Sequence, residues 1–264
     1  MRAFALILAV ALVQGTIAST NHNLFKGLIN NVEPRGLEQT INNTLECIKK
    51  TLIEGDEEIG ITKFVPLIVE EATFDLGDLG LENINGIVNL KDLTVYGIPN
   101  WLVSHLKVAI TIIPIGAKIE VNMEWPQLDL VGKYDVDSTI LGHEIKGAGK
   151  IVASATQFSF QLKLHATLKG KQISLKTFNL RPAIEAAALE MDQLSVDGEE
   201  KSEIIKEGAS NLPNFIKENL DEIEKKLGET VIEFVNGLGA GEEGGEGGEQ
   251  EPSVIQKLME KCMK

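Results

Sequence analysis

The sequence is poor in the residues that build compact catalytic and metal-binding sites. It contains 2 cysteines and 4 histidines among 264 residues, and no histidine lies three or four positions from a cysteine or from another histidine. It also lacks a Gly-x-Ser-x-Gly motif, a phosphate-binding glycine-rich loop and a Cys-x-x-Cys pair. We therefore expect no metal and no cofactor, and two cysteines are too few for a disulfide-dense scaffold.

An enzyme without a recognisable motif is the least favoured class, although active sites also assemble from scattered residues. His143 beside Glu144 is a candidate acid–base pair, and a surface turn explains the two residues more simply. His165 lies on the polar face of a predicted strand, where we expect it to be solvated. The sequence therefore predicts no catalytic residue.

Long apolar runs are scarce after the N-terminus. The run from Ala3 to Val13 follows Arg2 and precedes small residues, which is typical of a signal peptide, residues 1–18, cleaved after Ala18. This run is shorter than the roughly 18 to 20 residues of a membrane-spanning helix. We therefore predict a secreted, extracellular protein that is soluble and has no membrane anchor.

Basic residues are outnumbered by acidic ones. Cleavage would remove Arg2 and no acid, so 24 of the 25 Lys and Arg residues would face 39 Asp and Glu residues, a net charge of −15. This charge repels phosphate backbones and anionic lipid surfaces. We therefore expect neither nucleic acid nor a membrane among the partners, and the oligomeric state is left open.

An amphipathic helix is predicted after a polar and mobile N-terminal segment, residues 19–33. Apolar residues recur at steps of three and four between positions 37 and 52, and Gly55 ends the pattern. On the polar side Asn42 begins an Asn-x-Thr triplet, which predicts N-glycosylation. This helix opens the folded domain, which we place at residues 34–238.

The two cysteines lie at opposite ends of the chain. Cys47 is on the first predicted helix, whereas Cys262 is in a predicted short helix or tail, residues 253–264, beyond a Gly- and Glu-rich linker at residues 239–252. Either the two cysteines form one bridge that ties the tail to the first helix, or both thiols remain free. Export favours the bridge, but the sequence does not fix the distance between the two Cα atoms.

Most of the remaining chain alternates apolar and polar residues. This period of two begins near Gly60 and continues to Asn179, which predicts antiparallel strands. The predicted strands are residues 87–96, 103–113, 117–125, 128–136 and 157–169, with a hairpin turn at residues 170–171. At roughly 3.3 Å per residue, the last of these strands would be about 43 Å long. A strand of that length needs an apolar partner of similar length.

A long helix near the C-terminus provides that partner. Asn211 is a predicted cap, and residues 213–238 carry an apolar stripe along about 39 Å of helix. We predict an α+β fold in which a strongly curved antiparallel sheet wraps this long C-terminal helix, with the N-terminal amphipathic helix as an addition. A β-sandwich with a surface helix is the structural alternative.

Such a fold has a long apolar interior that could hold an elongated guest. The small residues expected on inward faces are Ala109, Ala117, Ala153, Ala155 and Ala166. The candidate ligand-binding residues, chosen for their size and their position in strands, are Trp101, Trp125, Tyr134, Phe158, Phe160 and Phe178. Packing against the helix alone would explain the same residues.

Four segments of the predicted sheet carry a family resemblance. They are ITKFVPLIV at residues 61–69, GIVNLKDLTVYG at 86–97, WPQLDLVGKY at 125–134 and KTFNL at 176–180. Together with the helices on either side, these segments resemble the insect haemolymph juvenile-hormone-binding and takeout family and the related group 7 mite allergens. The resemblance covers roughly residues 34–238.

This resemblance implies a fold of the tubular lipid-binding superfamily, with a hydrophobic tunnel between helix and sheet. It also implies carriage of a small hydrophobic ligand, such as a terpenoid hormone, a fatty acid or another lipid, without catalysis. The chain departs from the family's pair of neighbouring N-terminal cysteines, since only Cys47 is present there. That departure and the Gly- and Glu-rich tail favour a diverged or allergen-like branch.

Two non-catalytic functions agree with these features. The first is a secreted carrier that holds its ligand in an internal apolar tunnel. The second is recognition of surfaces or bacterial lipids in innate immunity. The acidic net charge argues against the second function, because such lipids are anionic. The sequence therefore favours the carrier.

Overall fold

The structure, a computed structural model, describes residues 36–79, 84–112, 115–140, 142–169, 172–238 and 254–262. The predicted signal peptide, the segment 19–33, the hairpin turn 170–171 and the linker 239–252 lie outside the described residues. The helices are α1 (Leu37–Glu54), α2 (Ser202–Ser210), α3 (Leu212–Glu218), α4 (Leu220–Leu238) and α5 (Val254–Cys262). The strands are β1 (Leu67–Asp75), β2 (Ile84–Tyr96), β3 (Leu102–Ile112), β4 (Ile115–Ile140), β5 (His143–Lys169), β6 (Gln172–Ala183), β7 (Ala186–Met191), β8 (Ser195–Val196) and β9 (Glu199–Glu200).

The described strands form one antiparallel sheet built on a single long hairpin. β4 and β5 pair along almost their whole length, from Gly116 opposite Thr167 to Ile140 opposite His143. β3 pairs with one end of β4, and β2, which also pairs with β1, occupies the other end. On the opposite side, β6 pairs with one end of β5, and β7 and β8 pair further along it. β4 and β5, with 26 and 27 residues, are therefore the central strands with which most of the other strands pair.

The prediction of separate strands at 117–125 and 128–136 is wrong, because both are parts of β4. Pro126 lies between them and cannot donate a backbone hydrogen bond. It faces Gln157 of β5, whose φ of 48° is unusual for a residue other than glycine. The register between the two strands is the same on both sides of this point. The proline therefore interrupts the ladder locally without ending the strand, because β5 is irregular at the same place.

The buried face of the sheet changes along its length. In β4 the odd-numbered side chains from Ala117 to Trp125 are buried or, at Ile119, half-buried, whereas the even-numbered positions from Gly132 to Ser138 are buried further on. β2 is irregular at Asp92, where a φ of 52° accompanies a register shift against β4. Such bulges bend and twist a strand locally. The curved sheet therefore buries two clusters of side chains instead of one continuous core.

Helices cover both clusters. The larger cluster includes Val231 of α4 together with residues of the sheet, and Ile48 and Leu52 of α1 pack against it. The smaller cluster contains Tyr134 of β4, and Ile205 of α2 packs against it. The predicted architecture, a curved antiparallel sheet around a C-terminal helix with an additional N-terminal helix, is confirmed.

The C-terminal helix differs from its prediction in being divided into α3 and α4. Asn211 occupies the N-cap position of α3, but its side chain donates to Glu207 O at 3.1 Å and does not cap the helix. Asn219, between the two helices, donates in the same way to Phe215 O at 2.8 Å. Asparagine side chains that bond to the preceding turn compete with continuation of a helix. The apolar stripe therefore predicts one continuous helix, whereas the structure has two, α3 and α4.

The C-terminal segment folds back as α5 against α1. Cys47 and Cys262 form a disulfide with their Cα atoms 5.5 Å apart, so the bridge that the sequence left open is present. Thr44 Oγ1 of α1 also lies 3.4 Å from Cys262 O, which shares more weakly the proton that the hydroxyl donates to Thr40 O at 2.9 Å. Lys261 pairs with Asp56 just beyond α1, and this hydrogen bond lowers the pKa of the Asp56 carboxyl. Three kinds of interaction thus hold α5 to the N-terminal helix.

Candidate functional site

Five of the six candidate aromatic residues belong to the larger cluster. The Trp125 ring centroid lies 6.4 Å from that of Trp101, 5.8 Å from that of Phe158 and 5.6 Å from that of Phe160. Phe178 of β6 belongs to the same cluster. Pairing of β4 with β5 brings Trp125 beside Phe158 and Phe160, and pairing of β6 with β5 adds Phe178. We refer to these five residues as the aromatic cluster.

The two indole N–H groups of the aromatic cluster have different surroundings. Trp125 Nε1 donates to Ile98 O at 2.8 Å. Trp101 Nε1 is buried and has no hydrogen-bond partner among the residues that the structure describes. Lys49 Nζ of α1 lies 5.6 Å from the Trp101 ring centroid and 2.9 Å from Glu46 Oε1. Sequence reasoning missed Lys49, because helical periodicity places it beside the apolar stripe without indicating what it covers.

Tyr134, the sixth candidate, lies in the smaller cluster, and the structure does not bring it together with the other five. It is only 3 % exposed, and its hydroxyl donates to Asp192 O at 2.6 Å. Burial raises the pKa of the Tyr134 hydroxyl, and the negative charges of Asp192 and Glu200 add to the effect. The hydroxyl therefore serves an internal contact between β4 and the turn after β7.

We expect Tyr134→Phe to lower the free energy of unfolding by about 1 kcal/mol, because the Asp192 carbonyl would lose its donor while the ring stays packed. Urea unfolding followed by circular dichroism measures the change. Tyr96→Phe is the matched control, since Tyr96 is the only other tyrosine and is exposed. That control should leave the midpoint almost unchanged. Equal stability of the two variants would contradict a stabilising role for the Tyr134 hydroxyl.

The small residues expected on inward faces do not all face inward. Ala117 and Ala166 are buried and lie directly opposite each other in β4 and β5. Ala109 of β3 is exposed, so its predicted inward position is wrong. A register shift between Val103 and His105 changes which side chains of β3 face the core. The sequence itself gives the same answer, because Leu106, Val108 and Ile110 alternate with the positions of His105, Lys107 and Ala109 and place Ala109 on the polar face.

The candidate acid–base pair requires contact between His143 and Glu144, but His143 pairs with a different residue. Its Nδ1 lies 2.7 Å from Asp197 Oδ2, and Glu144 N donates to Asp197 Oδ1 at 2.9 Å. The hydrogen bond with His143 is the main cause that lowers the pKa of the Asp197 carboxyl. Asp197 and Gly198, with φ values of 53° and 80°, form the two-residue turn between β8 and β9. The histidine therefore fastens a surface turn to the start of β5.

We expect Asp197→Asn to lower stability near neutral pH and to leave it unchanged in acid. The pKa of Asp197 in the folded protein lies below its ordinary value of 3.8. The stabilisation is therefore fully present above the unfolded-state pKa and is lost as the pH falls through the lowered one. Urea midpoints of the wild type and the variant, measured near neutrality and again below that pKa, test this. A difference that persists in acid would contradict the charge-based explanation.

The remaining polar candidates do not assemble into a reactive site. His165 is half-buried between Lys118 and Thr177 of the flanking strands. Its Nε2 is shielded and has no hydrogen-bond partner among the described residues, so the prediction of a fully solvated ring is wrong. In the described part of the chain, no group of three His, Cys, Asp or Glu side chains could hold a metal. The helices in that part also include none long and apolar enough to cross a membrane.

Asn42 is exposed on α1, whereas the threonine of its triplet is not. Thr44 is buried and its hydroxyl donates to Thr40 O at 2.9 Å. Glycosylation of Asn42 stays a prediction. Because the Thr44 hydroxyl is enclosed in the folded protein, any modification of Asn42 would have to precede the packing of α5 on α1.

Comparison with known proteins identifies the family. A sequence model described as haemolymph juvenile hormone binding protein matches residues 7–240. The chain belongs to this family. The resemblance inferred from the four sheet segments is thereby confirmed. No curated protein sequence matches the chain.

Solved structures similar to this family member include two proteins with low sequence identity. The crystal structure of Epiphyas postvittana Takeout 1 is 16% identical, covering 74% of this chain and 85% of that one, with a TM-score of 0.37. The crystal structure of a lipopolysaccharide binding protein is 12% identical, covering 80% of this chain and 40% of that one, with a TM-score of 0.30.

The part that matches the haemolymph juvenile hormone binding protein family contains the whole aromatic cluster and the helices α1 to α4. α5 lies beyond the matched residues. The disulfide therefore joins the family domain at Cys47 to a segment outside it at Cys262. This arrangement agrees with the departure in cysteine position noted from the sequence.

Proposed function

We propose that this protein is a secreted carrier of a small hydrophobic ligand, which it holds between the curved sheet and the helices α1 and α4. Membership of the haemolymph juvenile hormone binding protein family carries this proposal, because the match covers residues 7–240. A terpenoid hormone, a fatty acid or another lipid is the candidate ligand. The protein has no catalytic role in this proposal.

The aromatic cluster is where we place the ligand. Its residues come from the sheet, and Ile48, Leu52 and Leu227 of the two helices pack against it. Burial of apolar ligand surface would drive binding, at about 25 cal/mol per Å² before the costs of association are subtracted. Tyr134 is not among the contacts that we propose, since it lies in the other cluster and its hydroxyl is engaged by Asp192.

Export is part of the same proposal. The apolar run before Ala18 has the pattern of a cleavable signal. The bond between Cys47 and Cys262 fits an oxidising compartment, where disulfides form and persist. N-terminal sequencing of the protein from the medium of secreting cells should begin at Ser19, and a retained N-terminus would contradict this part.

Native mass spectrometry of protein purified from its natural source tests the carrier function. We expect a mass above that of the chain, and release of a small apolar molecule on denaturation. A fluorescent apolar probe should bind the emptied protein and be displaced by the released molecule. An unliganded mass, together with no binding of the probe or of fatty acids, would contradict the proposal.

Sedimentation with lipid surfaces separates the carrier from a surface-recognition protein. The acidic charge of the chain opposes binding to anionic lipid. We therefore expect the protein to stay in the supernatant with phosphatidylglycerol liposomes and with lipopolysaccharide at low salt, where electrostatic effects are largest. Co-sedimentation would favour recognition of bacterial or membrane surfaces instead.

A further inference from the structure

We propose that Trp101 Nε1 is the hydrogen-bond donor that fixes the polar end of the ligand, and that its acceptor is a neutral oxygen of an ester, ketone or epoxide. This inference rests on the proposed carrier function. It adds the polar contact that would set the orientation of an otherwise apolar ligand in the aromatic cluster. Its basis is the burial of Trp101, its missing partner and the charges around it.

Of the two indole N–H groups, only that of Trp101 lacks a partner among the described residues. The residue is only 6 % exposed, and its indole N–H, which can only donate, has no partner among the described residues. Buried polar groups are nearly always hydrogen-bonded, and an unpaired one is costly. Trp125, whose ring lies beside that of Trp101, has its N–H satisfied by Ile98 O. Burial in this cluster is therefore compatible with a paired indole, and only Trp101 keeps its donor available.

The surroundings of Trp101 are those of a hydrophobic site. It shares its cluster with Val121 and Met123 of β4, and Ile48 and Leu52 of α1 pack against the same cluster. Aliphatic side chains accept no hydrogen bond, and a thioether accepts only weakly. Ligand sites commonly combine an apolar lining with a few placed polar groups that determine orientation. An oxygen on an apolar ligand would meet here a donor that no acceptor among the described residues engages.

The charges near Trp101 favour a neutral acceptor over a carboxylate. An ionised group placed among apolar side chains needs a partner of opposite charge. The cation at this position is Lys49, whose Nζ lies over the face of the indole and already pairs with Glu46 at 2.9 Å. A positive charge over the ring face draws electron density from the indole and makes its N–H a stronger donor. The arrangement thus strengthens the donor without offering a free counter-charge to an anion.

Affinities of three matched probes test this inference: methyl laurate with a neutral acceptor, laurate with a charged one, and tridecane with none. Each is measured by displacement of an apolar fluorescent probe from the full-length, disulfide-bonded protein. We expect Trp101→Phe to weaken methyl laurate about tenfold, which corresponds to the loss of one hydrogen bond, and to leave tridecane within about twofold. Trp125→Phe is the matched control, and it should change both affinities by the same factor.

The wild-type protein provides a second readout, for which only one of the two variants has to fold. Its two tryptophans give two indole ¹H–¹⁵N resonances, assigned by the loss of one resonance in either variant. Methyl laurate should move the Trp101 proton downfield, as hydrogen bonding does, and tridecane should not. Equal responses to the ester and the hydrocarbon would overturn the inference.

The outcomes separate this inference from the carrier function. If Trp101→Phe weakens methyl laurate and tridecane by the same factor, Trp101 only packs against the ligand, and the carrier function stands without the inference. If the wild type binds laurate more tightly than methyl laurate, and Trp101→Phe abolishes this difference in affinity, the acceptor is an anion and the inference is wrong. If the wild type binds none of the three probes, the carrier function fails and the inference fails with it.

Discussion

Replacing Cys47 and Cys262 together by serine should lower the free energy of unfolding by about 2 to 4 kcal/mol. The bridge spans 215 residues of sequence, so it restricts the unfolded chain strongly and the folded chain little. Without it, the interactions of α5 that remain among the described residues are the burial of Leu258, the Thr44 hydrogen bond and the pair of Lys261 with Asp56. The Asp56 side chain is only 7 % exposed, but Lys261 is half exposed, and ion pairs that water can reach typically contribute about 0 to 1 kcal/mol. The bridge should therefore be the main attachment of α5.

Urea unfolding of the wild type and the double variant, each with and without reductant, measures this effect. Reductant should shift the wild-type midpoint to that of the double variant and leave the double variant unchanged. Lys261→Ala, which retains the bridge, is the control for loss of the ion pair alone and should have a much smaller effect. A double variant as stable as the oxidised wild type would show that the bridge is dispensable.

Gly228→Ala should lower the free energy of unfolding by about 1 to 3 kcal/mol, although alanine favours helix formation. Gly228 is in α4 and lies close to β6: an added Cβ would lie 2.6 Å from Phe178 O. That atom belongs to the backbone of a paired strand, so the helix has to move away from the sheet. Val231 lies on the same helix and in the larger cluster. The displacement should therefore also weaken binding of an apolar probe.

Gly208→Ala is the matched control for this substitution. Gly208 is exposed in α2, and an added Cβ would have nothing within 4 Å. Alanine should therefore stabilise the protein there by about 0.5 to 1 kcal/mol through helix propensity alone. Urea unfolding and probe titration of both variants make the comparison. Stabilisation by both substitutions would show that the contact between α4 and β6 is not close.

Much of the fold could be predicted from residue periodicity. The apolar stripe from 37 to 52 corresponds to α1, and the long alternating run at 157–169 lies within β5. Predictions from periodicity were wrong where a strand contains an irregular residue and nevertheless continues beyond it. Pro126 suggested the end of a strand, but the irregular residue opposite it allows β4 to continue. Ala109 is a different case, because the alternation of Leu106, Val108 and Ile110 with their polar neighbours already places it on the outward face of β3.

The candidate site was predictable in its residue types and less so in its arrangement. Size and strand position selected the aromatic residues, yet they did not separate Tyr134 from the others. That separation follows from the change of buried face along β4, which depends on irregularities in its partner strands. The pairing of His143 with Asp197 also depends on a turn far along the chain that no local pattern connects to it.

The sequence by itself determined the strand and helix periods, the acidic charge, the export signal pattern, the lack of catalytic motifs and the family resemblance. These are local or compositional properties, because they depend on residues close together in the chain. Only the tertiary structure decided that Cys47 meets Cys262 and that the Trp101 N–H, with Lys49 over its ring, has no partner among the described residues. Such contacts join residues from distant segments, and their geometry is set by how the whole curved sheet packs against its helices.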